Sequence, residues 1–165
     1  MSCQTPLNLE SLNLFFKIAT KKEIPKLCHL INTAHHSYDQ LNEQLFYEFN
    51  QNSTFGVLET ILKAPNHLVL TTYADNVFYG CAVLSINNRS MLKEMCLNAL
   101  FIGDTPERSE IEKRLFSYIK RTAKRLKIDT LSVAIPCDCV DLIAVFIDAN
   151  FKLKRFELAF SFKKS

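Results

Sequence analysis

Residues 100–116, LFIGDTPERSEIEKRLF, decide the fold of this 165-residue chain. The apolar run that ends at Ile102 predicts a buried strand, and the spacing of Ile111 and Leu115 predicts an amphipathic helix that begins near Ser109. The first N–H groups of a helix have no partners within the helix and carry a partial positive charge. A strand that leads through a short loop into a helix can therefore hold an anionic group at the end of a sheet.

Three carboxylates, those of Glu107, Glu110 and Glu112, stand at the start of this helix. They stabilise the helix, because negative charge is favourable near its N-terminus. They also oppose a bound anion: at about 4 Å and an effective dielectric constant of about 20, two like charges repel by on the order of 4 kcal/mol. Since the chain has only three glycines, glycine-rich phosphate loops are excluded as well. The sequence thus predicts a fold more firmly than an activity.

The composition is that of one compact domain. Hydrophobic residues make up 48% of the chain and charged residues 22%, which suits a single core of this length. Residues 1–14 are polar and mixed, so we expect a flexible lead-in there and a single domain over 15–165. The net charge of +3 does not by itself imply a nucleic-acid partner.

The cysteines and the amino terminus indicate the compartment. The six cysteines form no C-x-x-C pair, so we expect free thiols, a reducing environment and no metal site. The isolated C-x-C of Cys137 and Cys139 is a weak signal for redox or metal chemistry. The first residues show neither a positively charged start nor a sustained apolar run, so we expect a cytoplasmic protein with no membrane partner.

The secondary-structure signals follow one another in a definite order. A capping box at Thr20 and Glu23 begins a helix, and Ser53 begins another. The residues Ala-Asp-Asn at 74–76 predict a hairpin, 87–90 a second turn, and Asp138 a helix cap. The unit at 95–135 predicts a strand, a helix and a parallel strand. The predicted strands are 15–19, 68–73, 77–86, 95–102, 130–135 and one or two within 151–162.

This order, with the spacing between Leu100 and Phe151, resembles the GNAT superfamily of acyl-CoA-dependent N-acyltransferases. Members show an apolar L-x-V pair at the end of the fourth strand, which Leu100 and Ile102 match. They show a G-F ending near the last helix, where this chain has Asn150 and Phe151, and Asn is the next-best residue for a left-handed helix end. The resemblance implies an α/β (α+β) fold with a mixed, mostly antiparallel sheet flanked by helices on both faces.

The resemblance also implies a co-substrate and its contacts. The sheet would open between the fourth and fifth strands to hold the pantetheine of acetyl-CoA or another acyl-CoA. Main-chain groups near Leu100 and Ile102 would bind that pantetheine. The pyrophosphate would meet the amides of the first helical turn, which are those of Arg108, Ser109, Glu110, Ile111 and Glu112.

Two departures from the family pattern bear on activity. Aligned on Ile111, the family loop [QR]-x-x-G-x-G/A begins on Glu107, and its two small residues fall on Glu110 and Glu112. The family's frequent tyrosine, an acid for the departing thiolate, falls on Phe146, which has no proton to give. An alignment shifted by one residue does not restore the loop.

Glu94 is the candidate catalytic residue. It shares one face of the fourth strand with Cys96, where several family members place a carboxylate or a water that deprotonates the acceptor amine. A buried Glu can have a pKa suited to that role. The alternative is that Glu94 lies at an exposed strand start and that Cys96 packs in the core.

Two further groups have an ordinary explanation beside a functional one. His35 and His36 are adjacent and point in different directions on a helix, so they predict a surface helix end rather than a metal pair. The basic residues of the long helix could attract the phosphates of coenzyme A or an RNA backbone, but a solvated outer face is the better explanation. They are Lys113, Arg114, Lys120, Arg121, Lys124, Arg125 and Lys127.

Two functions therefore stay open. The first is an acyl-CoA-dependent N-acyltransferase that acts on an amine, either a small molecule or a protein. The second is a non-catalytic GNAT-fold module that binds another protein or forms a homodimer. We expect no nucleic-acid partner in either case.

Overall fold

A computed structural model of the chain describes residues 13–34, 36–37, 48–49, 52–89, 91–135 and 140–152. Within these ranges the helices are α1 (Ile24–Thr33), α2 (Thr54–Lys63), α3 (Arg108–Arg125) and α4 (Val140–Asp148), with a short 3-10 turn at Lys21–Glu23. The strands are β1 (Phe15–Ile18), β2 (His36–Ser37), β3 (His67–Ala74), β4 (Val77–Arg89), β5 (Leu92–Ile102) and β6 (Thr130–Val133).

The strands form one mixed sheet. Its order is β1-β3-β4-β5-β2, and β6 also pairs with β5. The pairing of β5 with β6 is parallel, and the other pairings are antiparallel. This confirms the mostly antiparallel mixed sheet and the parallel strand that follows α3.

The sheet is covered by helices on both faces, as the resemblance implies. On one face, Leu97 and Leu100 of β5 pack with Ile111 and Leu115 of α3 in a buried cluster that also includes Phe146 of α4. On the other face, α1 and α2 cover a second cluster that includes Leu27, Leu58, Val83 and Phe101. Both clusters consist mainly of fully buried aliphatic side chains, whose removal from water stabilises the fold.

Gly80 allows α3 to lie close to the sheet. It pairs with Ile102 across β4 and β5, and a Cβ atom built on it would lie 3.1 Å from Ile102 Cδ1 and 3.4 Å from Leu115 Cδ2. A side chain at this position would push against both the neighbouring strand and the helix. The absence of a side chain at Gly80 therefore allows α3 to pack close to β4 and β5.

Local signals account for several element ends. The Ser53 side chain accepts a hydrogen bond from Gly56 N–H at 3.2 Å and begins α2 as predicted. Asp75 and Asn76 have φ values of 47° and 63°, the pattern of the tight hairpin turn between β3 and β4. Asn150, with φ of 64°, is in the left-handed conformation expected for the end of α4.

The end of α4 has the hydrogen bonds of a Schellman motif. Phe151 N–H donates to Phe146 C=O at 2.9 Å, and Asn150 N–H donates to Ile147 C=O at 2.9 Å. The rings of Phe146 and Phe151 meet edge to face with centroids 5.2 Å apart, which adds the apolar contact that often accompanies this motif. The match of Asn150 and Phe151 to a glycine-phenylalanine ending thus has a structural basis.

Two predicted boundaries were wrong. The turn expected at 87–90 comes later, because β4 continues to Arg89 and pairs in register with β5. Helix α1 ends at Thr33, so His36 does not lie on a helix end but in β2, paired with Ile102. The proposed cap at Asp138, the thiols of Cys137 and Cys139, and any strand over 153–162 lie outside the described residues, as does His35.

The start of α1 is stabilised by a charged capping box. Glu23 accepts hydrogen bonds from the Thr20 amide and hydroxyl at 2.6 Å, and its carboxylate lies 3.0 Å from Lys17 Nζ. Burial alone would raise the pKa of Glu23, but the bonds from Thr20 and Lys17 outweigh it and lower the pKa from 4.5 to about 2. The negative charge of Glu23 therefore stabilises the folded protein.

We expect Glu23→Gln to lower the free energy of unfolding by about 1 kcal/mol at pH 7, the usual effect of losing a helix cap. Because the folded pKa is below the unfolded one, the stabilisation is fully present above pH 4.5 and is lost as the pH falls towards 2. Urea unfolding at several pH values would measure the difference from wild type. Glu59→Gln, on an exposed ion pair of α2, is the control; an effect of Glu23→Gln that did not change with pH would contradict the assignment.

Candidate functional site

Strand β5 has β4 along one edge and two different strands, β6 and β2, along the other. Ile102 pairs with Gly80 of β4 on one edge and with His36 of β2 on the other. The edge that faces β2 is also the one that pairs with β6, but β6 pairs only with Glu94–Leu97. Among the residues that the structure describes, no strand pairs with β5 on this edge at Ala99 and Leu100. The end of the β6 pairing, at Leu97, is called the fork below.

An extra residue in β5 lies next to the fork. Val83 pairs with Ala99 and the next residue, Leu84, pairs with Leu97, so Asn98 is a β-bulge with no register partner in β4. The bulge reverses the alternation of side chains, because Leu97 and Leu100 both face α3 although three positions separate them. A bulge bends its strand and increases the local twist. It therefore explains why β5 and β6 part at this point.

The edge of β5 leads directly to the start of α3. Gly103 N–H donates to Tyr79 C=O at 2.8 Å and extends the pairing with β4 by one residue. Arg108 N–H donates to Thr105 C=O at 3.1 Å, and Glu110 N–H and Ile111 N–H both donate to Glu107 C=O at 3.0 Å.

Only part of the predicted phosphate contact is available. The Ser109 amide has no hydrogen-bond partner within the described chain, whereas those of Arg108, Glu110 and Ile111 already have one. The Ile111 side chain is fully buried against the sheet. The first turn of α3 thus offers one unoccupied donor, and further donors require rearrangement of this turn.

The three carboxylates at this turn have their own partners. Glu107 is buried, and its carboxylate accepts a hydrogen bond from the Thr105 hydroxyl. Glu110 Oε1 lies 2.7 Å from Arg114 Nε, in a half-exposed ion pair one turn along the helix. Glu112 also takes part in an interaction of its own. Because Arg114 compensates the charge of Glu110, repulsion of a bound anion is weaker than for three bare carboxylates.

A row of polar side chains crosses the sheet beside the fork. His67, Ser85, Cys96 and Ser132 are register partners on β3, β4, β5 and β6, and all four lie on the face covered elsewhere by α1 and α2. Each is half-buried. The next row along the same strands, formed by Val69, Val83 and Ala99, is fully buried and apolar. The polar row is therefore the first row on this face that is not fully buried.

Hydrogen bonds join the row to a second polar row. Cys96 Sγ lies 3.3 Å from Ser132 Oγ and 3.7 Å from Asn87 Nδ2. Asn87 pairs with Glu94, which in turn pairs with Thr130, so these three form the second row on the same face. Glu94 and Cys96 share one face as predicted.

The register places Cys96 closer than Glu94 to the fork. Cys96 pairs with β6 one residue before Leu97, whereas Glu94 is three residues before it, or about 10 Å at the rise of a strand. Cys96 is not simply a core side chain, because it is half-buried and hydrogen-bonded to polar neighbours. The distances of Cys96 and Glu94 from the fork could not be read from the sequence, since both depend on how β5 and β6 pair.

His67 stands at the far end of the polar row. Burial lowers the pKa of His67, and the nearby Glu48 opposes that change. Its Nδ1 lies 3.0 Å from Asn66 Oδ1, which can only accept, so Nδ1 donates and Nε2 carries the lone pair of the neutral ring. His67 was not singled out in the sequence; its pairing with Ser85 is what connects it to the site.

Phe146 and the basic residues of α3 lie away from this face. Phe146 is 2% exposed and meets Phe116 and Phe151 with ring centroids 5.2 Å away in each case. It therefore fills the core beneath α3 and offers no proton. The basic residues occupy the outer surface of α3, where Arg121 lies over the Tyr118 ring and Lys120 donates to Ala149 C=O.

The described part of the chain holds no group of three or more His, Cys, Asp or Glu side chains arranged to bind a metal ion. In the same residues, no helix combines the length and apolar character needed to cross a bilayer.

No family model matches the sequence, and no curated protein does. Solved structures do match. The aminoglycoside N-acetyltransferase AAC(6')-Iy in complex with CoA superposes with a TM-score of 0.70 at 13% identity, covering 96% of this chain and 100% of its own. An aminoglycoside acetyltransferase from an uncultured soil metagenomic sample gives 0.68 at 15% identity, with 92% and 97% covered.

A third similar structure is the ribosomal-protein-alanine N-acetyltransferase from Brucella melitensis biovar Abortus 2308. Its TM-score is 0.68 at 10% identity, with 91% of this chain and 99% of its own covered. At such identities the likeness concerns the fold. It confirms the resemblance to the GNAT fold that the order of elements and the Leu100–Ile102 pair indicate.

Two cysteines on the same face of the sheet, Cys81 and Cys96, should differ in reactivity because they differ in burial. Cys81 is fully buried, and burial raises the pKa of its thiol to about 12, so only about 1 in 10,000 of these thiols is ionised at pH 8. We expect iodoacetamide to label half-buried Cys96 in the native protein and Cys81 only after unfolding in urea. Peptide mass spectrometry would locate the label, and Cys81→Ser is the control. Native labelling of Cys81 at the rate of Cys96 would show that this part of the core opens.

Proposed function

We propose that this chain binds an acyl-CoA along the open edge of β5 and transfers its acyl group, such as acetyl, to an amine. The observation that carries the proposal is the end of the β6 pairing beside the bulge at Asn98: on the edge of β5 away from β4, the main chain of Leu100 has no strand partner in the described structure. These groups lead towards the start of α3 in a fold shared with acetyltransferases, one of them solved in complex with CoA.

The contacts of the acyl-CoA follow from this edge. A pantetheine arm contains amide groups, so it can pair with main-chain N–H and C=O groups near Leu100 and Ile102 as a further strand would. The side chains of both residues are buried against α3 and only their main chain is offered. The pyrophosphate would then lie over the first turn of α3, at Arg108–Glu112, where the Ser109 amide has no hydrogen-bond partner among the described residues.

The reaction needs one nucleophile and two proton transfers. The neutral amine nitrogen attacks the thioester carbonyl carbon, a C–N bond forms, and the C–S bond breaks with departure of the CoA thiolate. Glu94 would accept the proton that the amine loses, through water, since it is about 10 Å from the fork at the rise of a strand. The thiolate would take a proton from solvent, because Phe146 occupies the position of the family's tyrosine.

A second function is favoured by a different observation. Strand β2 already pairs with β5 at Phe101 and Ile102, on the edge where the pantetheine would lie. A chain that fills its own groove and carries acids at its phosphate loop would suit a non-catalytic, cytoplasmic module that binds a protein or forms a homodimer. The two functions differ in whether an acyl-CoA binds at all.

The proposal predicts that acetyl-CoA binds and that the acids of α3 weaken binding. We expect wild type to be stabilised in proportion to the logarithm of acetyl-CoA concentration. Glu110→Gln with Glu112→Gln removes two negative charges beside the pyrophosphate and should tighten binding by about tenfold, or roughly 1.4 kcal/mol. Isothermal titration calorimetry would measure both affinities.

The matched control for this double variant is Glu59→Gln, which breaks an equivalent ion pair with Lys63 in α2, away from α3. It should leave acetyl-CoA affinity unchanged. No stabilisation of wild type at millimolar acetyl-CoA would eliminate the transferase in its ordinary form. Weaker binding by the double variant would place the pyrophosphate elsewhere.

Strand β2 should compete with the pantetheine. We expect His36→Pro with Ser37→Pro to strengthen acetyl-CoA binding, because proline cannot donate a main-chain hydrogen bond to β5. His36→Ala with Ser37→Ala keeps both donors and is the control. Hydrogen exchange of Phe101 and Ile102, measured without ligand, would verify that the prolines release this edge. Unchanged affinity after release would mean that the ligand does not use it.

A further inference from the structure

The polar row beside the fork has the composition of a recognition surface. The seven side chains of the two rows are hydroxyls, an amide, a thiol, an imidazole and one carboxyl group, that of Glu94. Together they span four strands on the open part of one face. The first row consists of His67, Ser85, Cys96 and Ser132, and the second of Asn87, Glu94 and Thr130.

The position of the first row suits an acyl acceptor. Its Cys96–Ser132 pair is adjacent to Leu97–Val133, the last pair before β5 and β6 part. A group held over Cys96 and Ser132 is therefore one residue, about 3.3 Å along the strand, from the edge where a thioester would lie. The row then runs across three strand spacings, or about 14 Å, to His67.

Several groups of the row are available for a ligand. Within the described residues, the Ser85 hydroxyl has no hydrogen-bond partner, although Ser85 lies between His67 and Cys96 in register. The His67 ring uses Nδ1 for Asn66 and leaves Nε2 as an acceptor. Hydroxyl and imidazole groups of this kind both donate and accept hydrogen bonds, and so match hydroxyl or amide groups on a ligand.

We infer that this row binds the acyl acceptor and that the acceptor is a polar amine, with an ammonium group and several hydroxyl or amide groups. The inference rests on the proposed transferase. The ammonium would lie over Cys96 and Ser132, between the fork and Glu94, whose carboxylate supplies the opposite charge from the second row. The remaining polar groups would bond to Ser85 and Ser132 and extend towards His67. An amine without hydroxyl or amide groups, whether an apolar amine or a simple polyamine, would leave the polar side chains of the row without partners.

Three commercial amines separate these chemistries. D-glucosamine is a polar monoamine, spermidine a polycation without hydroxyl groups, and benzylamine an apolar monoamine. Titrating each into the 15N-labelled full-length chain without CoA would map amide shifts. We expect D-glucosamine to bind most tightly and to shift Ser85, Cys96 and Ser132. Stronger binding of spermidine or benzylamine, shifts confined to the basic surface of α3, or no shift with any amine at tens of millimolar would overturn the inference.

Side-chain variants give an independent readout. We expect Ser85→Ala with Ser132→Ala to weaken D-glucosamine binding at least fivefold while acetyl-CoA affinity is unchanged. Ser117→Ala, on the exposed surface of α3, is the matched control and should change neither. Equal D-glucosamine affinity in the double variant and wild type would overturn the row as the acceptor site. If wild type did not bind acetyl-CoA at all, the proposed transferase itself would be rejected. Failure of the acceptor site and failure of the proposed function therefore give different results.

Discussion

One extra residue, Asn98 in β5, determines the arrangement of the candidate site. Because it has no counterpart in β4, the side chains that follow it in β5 point to the opposite faces from those that unbroken alternation would give. The side chains of Leu100 and Ile102 thus enter the core under α3, while those of Ala99 and Phe101 meet α1 and α2. The same bend ends the pairing with β6. A single insertion therefore reverses the faces of β5 at the point where, among the described residues, its pairing with β6 ends.

Signals that act over a few residues were readable from the sequence. Ser53 begins α2, Asp75 and Asn76 form the hairpin turn, and Asn150 takes the left-handed conformation at the end of α4. Each depends on the intrinsic preference of one or two side chains. The apolar stripe of α3 was equally clear, because Ile111 and Leu115 repeat at helical spacing. These local signals and their order were enough to indicate the fold.

Features that depend on pairing between distant strands were not readable. The run LNALFI at 97–102 is almost wholly apolar, so its period could not show where the alternation reverses; its one polar residue, Asn98, was the available signal. The described part of strand β2, His36–Ser37, shows no apolar pattern. The row from His67 to Ser132 exists only once four strands are in register. Site chemistry therefore required the sheet itself.

The close packing of α3 on the sheet, which Gly80 makes possible, has a kinetic consequence. The start of α3 is held by a tightly packed core, so any donors there are present in one fixed position before a ligand arrives. The edge of β5 beside it is occupied by a strand of two residues, which must leave before an extended arm can replace it. On the proposed function, an incoming acyl-CoA would accordingly be captured in two phases, an encounter with the fixed start of the helix followed by a slower exchange of one strand for another.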